Sequence, residues 1–357
     1  MNLNQFQAGL PAKIILLAIW ALSAFSCNKE RSQNKICTLT INVNTALSTR
    51  ATGLGLDTTP NMLATKILHI MIYDSKSGAL IKYKKLDNPD SVKNIQLAFN
   101  AGIRDIYVLG NPQPSMDLSN LTNVSAIRNM ISDLKEEETP LFSYGGVNEN
   151  REVYDNAVMN IIPFRLVSKL IIRSIRADFA GTPWAGAQLT SPRIYMTNVV
   201  RNQKTFFIEE KIPKVYLNKD SLSLTDGNGT RIKNLLCDTI PVSIGSTPYT
   251  IRHHFIMYAN YFDQYENEPV INPTCVVIEG YLGGIKTYYM IPVNFPTSSS
   301  SWTDELLGVM TNKIYYLDIT LKGMGSDSPS RSPVSDSSTI NIYSIKFQEH
   351  DLGNAEI

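Results

Sequence analysis

The amino-acid sequence predicts an all-β protein built of β-sandwiches, with one short helix in its first half. Three observations carry that expectation. Apolar and polar residues alternate strictly in "CTLTINV": Cys37, Leu39, Ile41 and Val43 are apolar, while Thr38, Thr40 and Asn42 are polar. A period of two marks a strand with one buried face. Tyrosine is frequent, 17 in 357 residues, beside many Thr, Val and Ile, a mix that suits a pleated surface. Short runs of this kind recur, separated by clusters of Gly, Pro, Asn and Ser, which is how sandwich strands are spaced. The length is enough for two domains with cores of their own. Two sets of about seven strands, joined near Pro163, give an N-terminal domain over 51–163 and a C-terminal domain over 164–357.

The chain opens with a targeting segment. "KIILLAIWALSAFSC" starts at Lys13, runs apolar from Ile14 to Phe25 and ends at Ser26-Cys27. It is too short to span a bilayer and has the layout of a signal peptide. A small residue directly before a cysteine resembles the lipobox of bacterial lipoproteins, in which the cysteine is lipidated and becomes the new N-terminus. On this reading 1–27 is a lipoprotein signal peptide and Cys27 carries the lipid. A plain signal peptide cut near Ser26 is the other reading.

After the alternating strand comes "TALSTRAT", small and polar with the single arginine Arg50. Such loops are where proteases cut. A good strand therefore sits just upstream of a good cleavage site, and these residues alone leave open whether the strand stays in the fold or leaves it. The competing reading keeps Arg50 as an ordinary loop residue. Further on, "LATKILHIMIYDSKSGALI" reads as strand, turn and strand. "SVKNIQLAFNAGIRDIYVLGNP" reads as strands over 92–99 and 103–109 joined as a hairpin through Asn100, Ala101 and Gly102. Residues 119–137 have a helical period, with Leu121, Val124, Ile127, Ile131 and Leu134 on one side and a cap at Ser119 or Asn120. Strands follow over 164–175, 193–200, 205–209, 249–258, 274–282, 286–293, 313–322 and 338–347, with Gly283-Gly284 as a hairpin turn.

Lys+Arg is 33 and Asp+Glu is 32; a near-neutral chain lacks the basic surface a nucleic-acid partner needs. The sequence has four histidines, and His253 and His254 are adjacent, so a strand would turn them to opposite faces. The spacings of common zinc, nucleophile and phosphate motifs do not occur. The expectation is a protein with no catalytic residues, no metal and no cofactor. Without Cys27 the cysteines number three, Cys37, Cys237 and Cys275, which forbids a full disulfide framework. Cys237 and Cys275 could pair, but buried free thiols are the simpler expectation.

Several stretches, in order, resemble the fimbrillin family, the type V pilus subunits of Bacteroidales bacteria. "STRAT" resembles its arginine-specific protease site. "KILHIMIYD" followed by "FNAGIRDIYVLGNP" resembles its first-domain strands, and "FRLVSKLIIRSI" its long strand. "FIMYANYF", "CVVIEGYLGGIKTYYMIPVNF" and "NKIYYLDITLKGMG" resemble its later blocks. The chain departs from the pattern at Ala259, where an acidic residue is usual, at Thr311 before Asn312, and in lacking a C-terminal tryptophan. The resemblance implies two tandem transthyretin-like sandwich domains and export to the outer membrane as a lipoprotein. It further implies cleavage by an arginine-specific protease between Arg50 and Ala51, which makes residues 28–50 a propeptide carrying a removable strand, and polymerisation with other copies and other fimbrial subunits by strand exchange, in support of adhesion and biofilm. The alternatives are an accessory, tip or anchor subunit, or a glycan-binding surface lipoprotein. The donor candidate is "STINIYSIKF": Ile340 and Ile342 share one face, and Tyr343, Ile345 and Phe347 the other. That switch of face would require a bulge in a single permanent strand; two consecutive pieces, one kept and one donated, would not need one.

Overall fold

The computed structural model of the chain describes residues 35–43, 65–137, 141–207, 212–223, 225, 236–263, 271–295, 306–330 and, as backbone, 338–346. The first group of strands is β1 (Ile36–Val43), β2 (Ile67–Asp74), β3 (Leu80–Asp87), β4 (Ile95–Asn100), β5 (Gly102–Gly110), β6 (Ile131–Asp133), β7 (Tyr144–Val153), β8 (Ala157–Ile161) and β9 (Phe164–Arg165). Helix α1 (Val124–Arg128) lies before β6. A three-stranded sheet in the order β4-β1-β8 faces a five-stranded sheet in the order β3-β2-β5-β7-β9. Alternate residues of both sheets meet in one core: Leu39, Ile41, Leu97, Phe99 and Ile161 pack with Leu68, Ile70, Ile72, Ile106 and Val108.

The second group is β10 (Ser168–Ala177), β11 (Thr190–Thr197), β12 (Val199–Val200), β13 (Asn202–Lys204), β14 (Tyr216–Leu217), β15 (Cys237–Thr239), β16 (His253–Met257), β17 (Asn260–Asp263), β18 (Cys275–Leu282), β19 (Ile285–Pro292), β20 (Leu306–Val309), β21 (Lys313–Leu321) and β22 (Ser338–Lys346). Its two main sheets run β16-β10-β21-β22 and β15-β11-β18-β19. Leu170, Ile172, Leu317 and Ile319 from the first share a core with Ile194, Met196, Val276 and Ile278 from the second. The architecture is the all-β sandwich the sequence predicts. Gly283 and Gly284, at φ 59° and 82°, form the two-residue turn between β18 and β19. Positive φ at both positions is what that turn demands and what glycine permits.

The two groups are stitched together. The outer face of the five-stranded sheet contributes Met71, Tyr73, Tyr107 and Leu109 to the same apolar cluster as the second group. Strand β6 pairs antiparallel with β13. Arg201 bonds Asp133, and Gln203 Nε2 donates to the Leu166 carbonyl at 2.7 Å. Between the groups lies a buried carboxyl. Glu137 accepts from Gln113 Nε2 at 2.6 Å, from the Tyr258 hydroxyl at 2.9 Å and from the Ser143 amide at 2.9 Å. Burial outweighs these donors and pushes its pKa up to about 7.

Four sequence expectations are corrected. The helix over 119–137 is a single short helix capped by Asn123, whose side chain accepts from the Ser125 amide. Pairing with β13 then pulls residues 131–133 into a strand, and Ile131 turns out to solvent; a tertiary ladder overrides a local period. Asn100 to Gly102 is a corner between sheets and not a hairpin, because among the described residues β4 pairs with β1 alone while β5 pairs with β2 and β7. Arg104 ties that corner, donating to the carbonyls of Asn100 and Ala101 and bonding Asp74. The strand over 164–175 is broken at Leu166 and Val167: β9 completes the first group against β7, and β10 opens the second. The strand expected over 205–209 is Asn202–Lys204 instead, with 208–209 outside the described residues.

Candidate functional site

The alternating strand of the sequence is β1, and it sits in the middle of its sheet. It runs antiparallel to β4, from Ile36 opposite Asn100 to Ile41 opposite Ile95. On its other side it runs parallel to β8, from Leu39 opposite Ala157 to Val43 opposite Ile161. Among the described residues neither β4 nor β8 pairs with any other strand. Cys37, Leu39, Ile41 and Val43 are buried almost completely in the sandwich. Burying four such side chains is worth on the order of 10 kcal/mol, which is comparable to the whole stability of a domain.

Contacts at both ends hold the strand. At its start the Cys37 thiol donates to the Phe99 carbonyl at 3.3 Å, the Thr38 amide donates to Asp155 at 3.0 Å, and the Ala101 amide donates to the Lys35 carbonyl at 2.9 Å. Burial, with Asp155 adding to it, raises the Cys37 pKa, so the thiol stays protonated and inert. At its end the Val43 amide donates to the Val92 carbonyl at 2.9 Å. Asn42 Oδ1 accepts from the Asn94 amide at 2.8 Å while its Nδ2 donates to Asn160 Oδ1 at 3.0 Å. Take β1 away, and there remains a slot with apolar walls and two unpaired strand edges.

No protein-family profile and no curated protein sequence matches this chain. Solved structures do. Fimbrilin (FimA) from Porphyromonas gingivalis aligns over 86% of this chain and 96% of its own, at a TM-score of 0.61 and 13% identity. The chain has the fimbrilin fold. A candidate cell adhesion protein from Parabacteroides distasonis aligns over 89% of this chain and 99% of its own, at 0.61 and 13%. The tip fimbrial protein Mfa3 from Porphyromonas gingivalis aligns over 87% and 100%, at 0.51 and 13%.

Within the fimbrilin fold the other predicted element, the C-terminal strand, lies far from the slot in sequence and pairs elsewhere. β22 runs antiparallel along β21, from Lys313 opposite Lys346 to Leu321 opposite Ser338. It forms the edge of its sheet. Ile340, Ile342, Tyr343 and Ile345 stand opposite Ile319, Leu317, Tyr316 and Ile314. The register is unbroken from Ser338 to Lys346, one continuous strand without a bulge near Tyr343 and not two pieces. β21 buries both Tyr315 and Tyr316 on its two faces, so the ladder accepts apolar residues on either side here. Cys27, Arg50, Ala51 and Phe347 lie outside the described residues.

No disulfide joins Cys37, Cys237 and Cys275. β15 and β18 flank β11 on opposite sides, Cys237 facing Tyr195 and Cys275 facing Thr197. Two strand spacings, about 9.6 Å, exceed the reach of a disulfide. Among the described residues no three His, Cys, Asp or Glu side chains are grouped to hold a metal. His253 is buried and His254 exposed, on the opposite faces expected. Trp184 packs against the core; a Cβ on Gly283 would come within 2.3 Å of it.

Sequence reasoning found the apolar face of β1 and its neighbour β4, but missed β8 and, in the facing sheet, β7. β8 reads "AVMNI" after Asn156 at φ 59°, with Val158 exposed, and carries no clean alternation. β7 contains Gly145 and Gly146, poor strand formers. They are used because the neighbouring chain passes close: a Cβ on Gly146 would meet Ile161 at 2.7 Å. Asn42 gave no signal, since its role depends on groups 52 and 118 residues away.

Proposed function

We propose that this chain is a non-catalytic structural subunit of a cell-surface fimbrium, assembled by strand exchange. The carrying observation is the place of β1: an N-terminal strand in the centre of a sheet, its neighbours paired with nothing else among the described residues, followed within a few residues by a small, polar segment holding Arg50. Cleavage between Arg50 and Ala51 by an arginine-specific protease separates β1 from the body. A strand from a second subunit then fills the slot by β-augmentation. The likeness in fold to fimbrilin and to the tip protein Mfa3 supports a fimbrial role for this chain.

The donor is the C-terminal strand. An edge strand leaves its sheet at the cost of one ladder, and the Gly/Ser/Pro-rich loop before it supplies the hinge. Lipidation at Cys27 carries the precursor to the outer membrane. A donor strand and a cleavable propeptide in one chain favour a stalk subunit over a tip or an anchor. Head-to-tail contacts of this kind are heterologous and extend into fibres.

The test is processing. Polymer recovered from cells should begin at Ala51, and Arg50→Ala should leave monomers in solution. N-terminal sequencing that returns a residue upstream of Arg50 from polymer contradicts the proposal. Cys27→Ser should abolish labelling by a fatty acid; labelling that persists contradicts the lipid assignment.

A further inference from the structure

The slot has a polar bridge as well as an apolar lining, and the role inferred for that bridge rests on assembly by strand exchange. Asn42 is polar, half-buried and near the end of β1 that faces Arg50. The Asn94 backbone N–H can only donate, so Asn42 Oδ1 is fixed as the acceptor and Nδ2 is turned to Asn160. Asn94 leads into β4, and Asn160 lies within β8. One side chain therefore bridges both neighbours of β1. The contacts at the other end each reach a single side: Thr38 to Asp155, and Lys35 to Ala101.

We propose that Asn42 retains β1 after the chain is cut, so that the severed strand stays in its slot until an incoming strand displaces it. A cut after Arg50 frees the C-terminal end of β1. Fraying from that end must first expose Val43, fully buried as it stands, and then break both bonds of Asn42 together. Among the described residues, loss of the whole strand would leave β4 and β8 without ladder partners and uncover their amides and carbonyls. Replacement one residue pair at a time avoids that state. The device keeps a cut subunit from presenting an open apolar groove before a second subunit is there to fill it.

The experiment uses the full chain, cut by limited digestion with an arginine-specific protease and followed by gel filtration with mass spectrometry of the co-eluting fragment. The displacing probe is a synthetic peptide of residues 35–43. The fragment ending at Arg50 should remain with the body and leave at a rate that rises with peptide concentration. Asn42→Ala should release it about tenfold faster without peptide, the effect of two lost hydrogen bonds. Thr40→Ala, on the same face of β1, should behave as the unaltered chain does. If melting of uncut Asn42→Ala is not cooperative, Asn160→Ala removes one of the two bonds from outside β1 and should also speed release. A fragment lost as soon as it is cut, or released from the Asn variants at the unaltered rate, overturns retention and leaves the removable strand standing. A chain that resists cutting at Arg50, or a fragment that no amount of peptide displaces, overturns the strand-exchange reading and retention with it.

Discussion

The first and last described strands, β1 and β22, are used differently by their sheets. The N-terminal β1 is the centre of β4-β1-β8, bonded on both sides and sealed into a core. The C-terminal β22 is the outer member of β16-β10-β21-β22 and bonded on one side. Remove β22 and three paired strands remain; remove β1 and, among the described residues, no pair remains in its sheet. Position in the sheet, more than length or hydrophobicity, separates a strand whose loss unpairs its sheet from one whose loss leaves its sheet paired.

The largest effect should come from a charge in the centre. Ile41→Asp places a carboxylate between the sheets with no partner provided, a cost of several kcal/mol against a domain stability of about 5–15 kcal/mol. Its thermal unfolding should lose cooperativity. Ile345→Asp at the edge should keep a cooperative melt. Equal damage from the two would break the contrast.

Next in size is the carboxyl between the two groups of strands. The Glu137 pKa stands at about 7 against an ordinary value of 4.5, so the folded chain holds a proton that the unfolded chain gives up. The proton's contribution is full below pH 4.5 and is lost as pH rises through about 7, worth about 3 kcal/mol in all. Melting should be lower at about pH 8 than at about pH 5, and Glu137→Gln should flatten that difference. An unchanged slope in the variant would assign the pH dependence to other groups.

Smaller again is Cys37→Ala, which trims one buried atom from β1 and should cost about 1–2 kcal/mol in a denaturant midpoint. The smallest effect should follow deletion of residues 338–357. The cut-free chain should still unfold cooperatively within a few degrees of the original, because the edge ladder is lost and both cores stay closed. Loss of the transition would make β22 a permanent part of the second sandwich.

How far the sequence reveals this molecule depends on which forces act locally. Strict alternation in β1 and the Gly283-Gly284 turn are local signals, and both are realised. The short helix is capped where Asn123 stands and ends because β13 recruits its tail, a decision made by residues distant in the chain. The corner at Asn100 to Gly102 has the residues of a hairpin and becomes a crossing between sheets, because Arg104 and the pairing of β1 with β4 fix it so. The slot was legible as an apolar face and as the strand β4, while its other wall, β8, was not. Asn42, Asn94, Asp155 and Asn160 are ordinary polar residues until the fold brings them to β1.

The central claim is that the vacated slot takes the C-terminal strand of another copy. Two versions of the chain test it, one with Gln96→Cys on β4, opposite Thr40, and the other with a cysteine placed in turn at Ile340, Ile342, Tyr343, Ile345 and Phe347. Mixed and oxidised, they can form that disulfide only between copies. The account predicts a cross-linked pair for at least one position after cleavage at Arg50, and none before it. The same cross-link in uncut chains, or polymer formed with no cross-link at any of these positions, would contradict it.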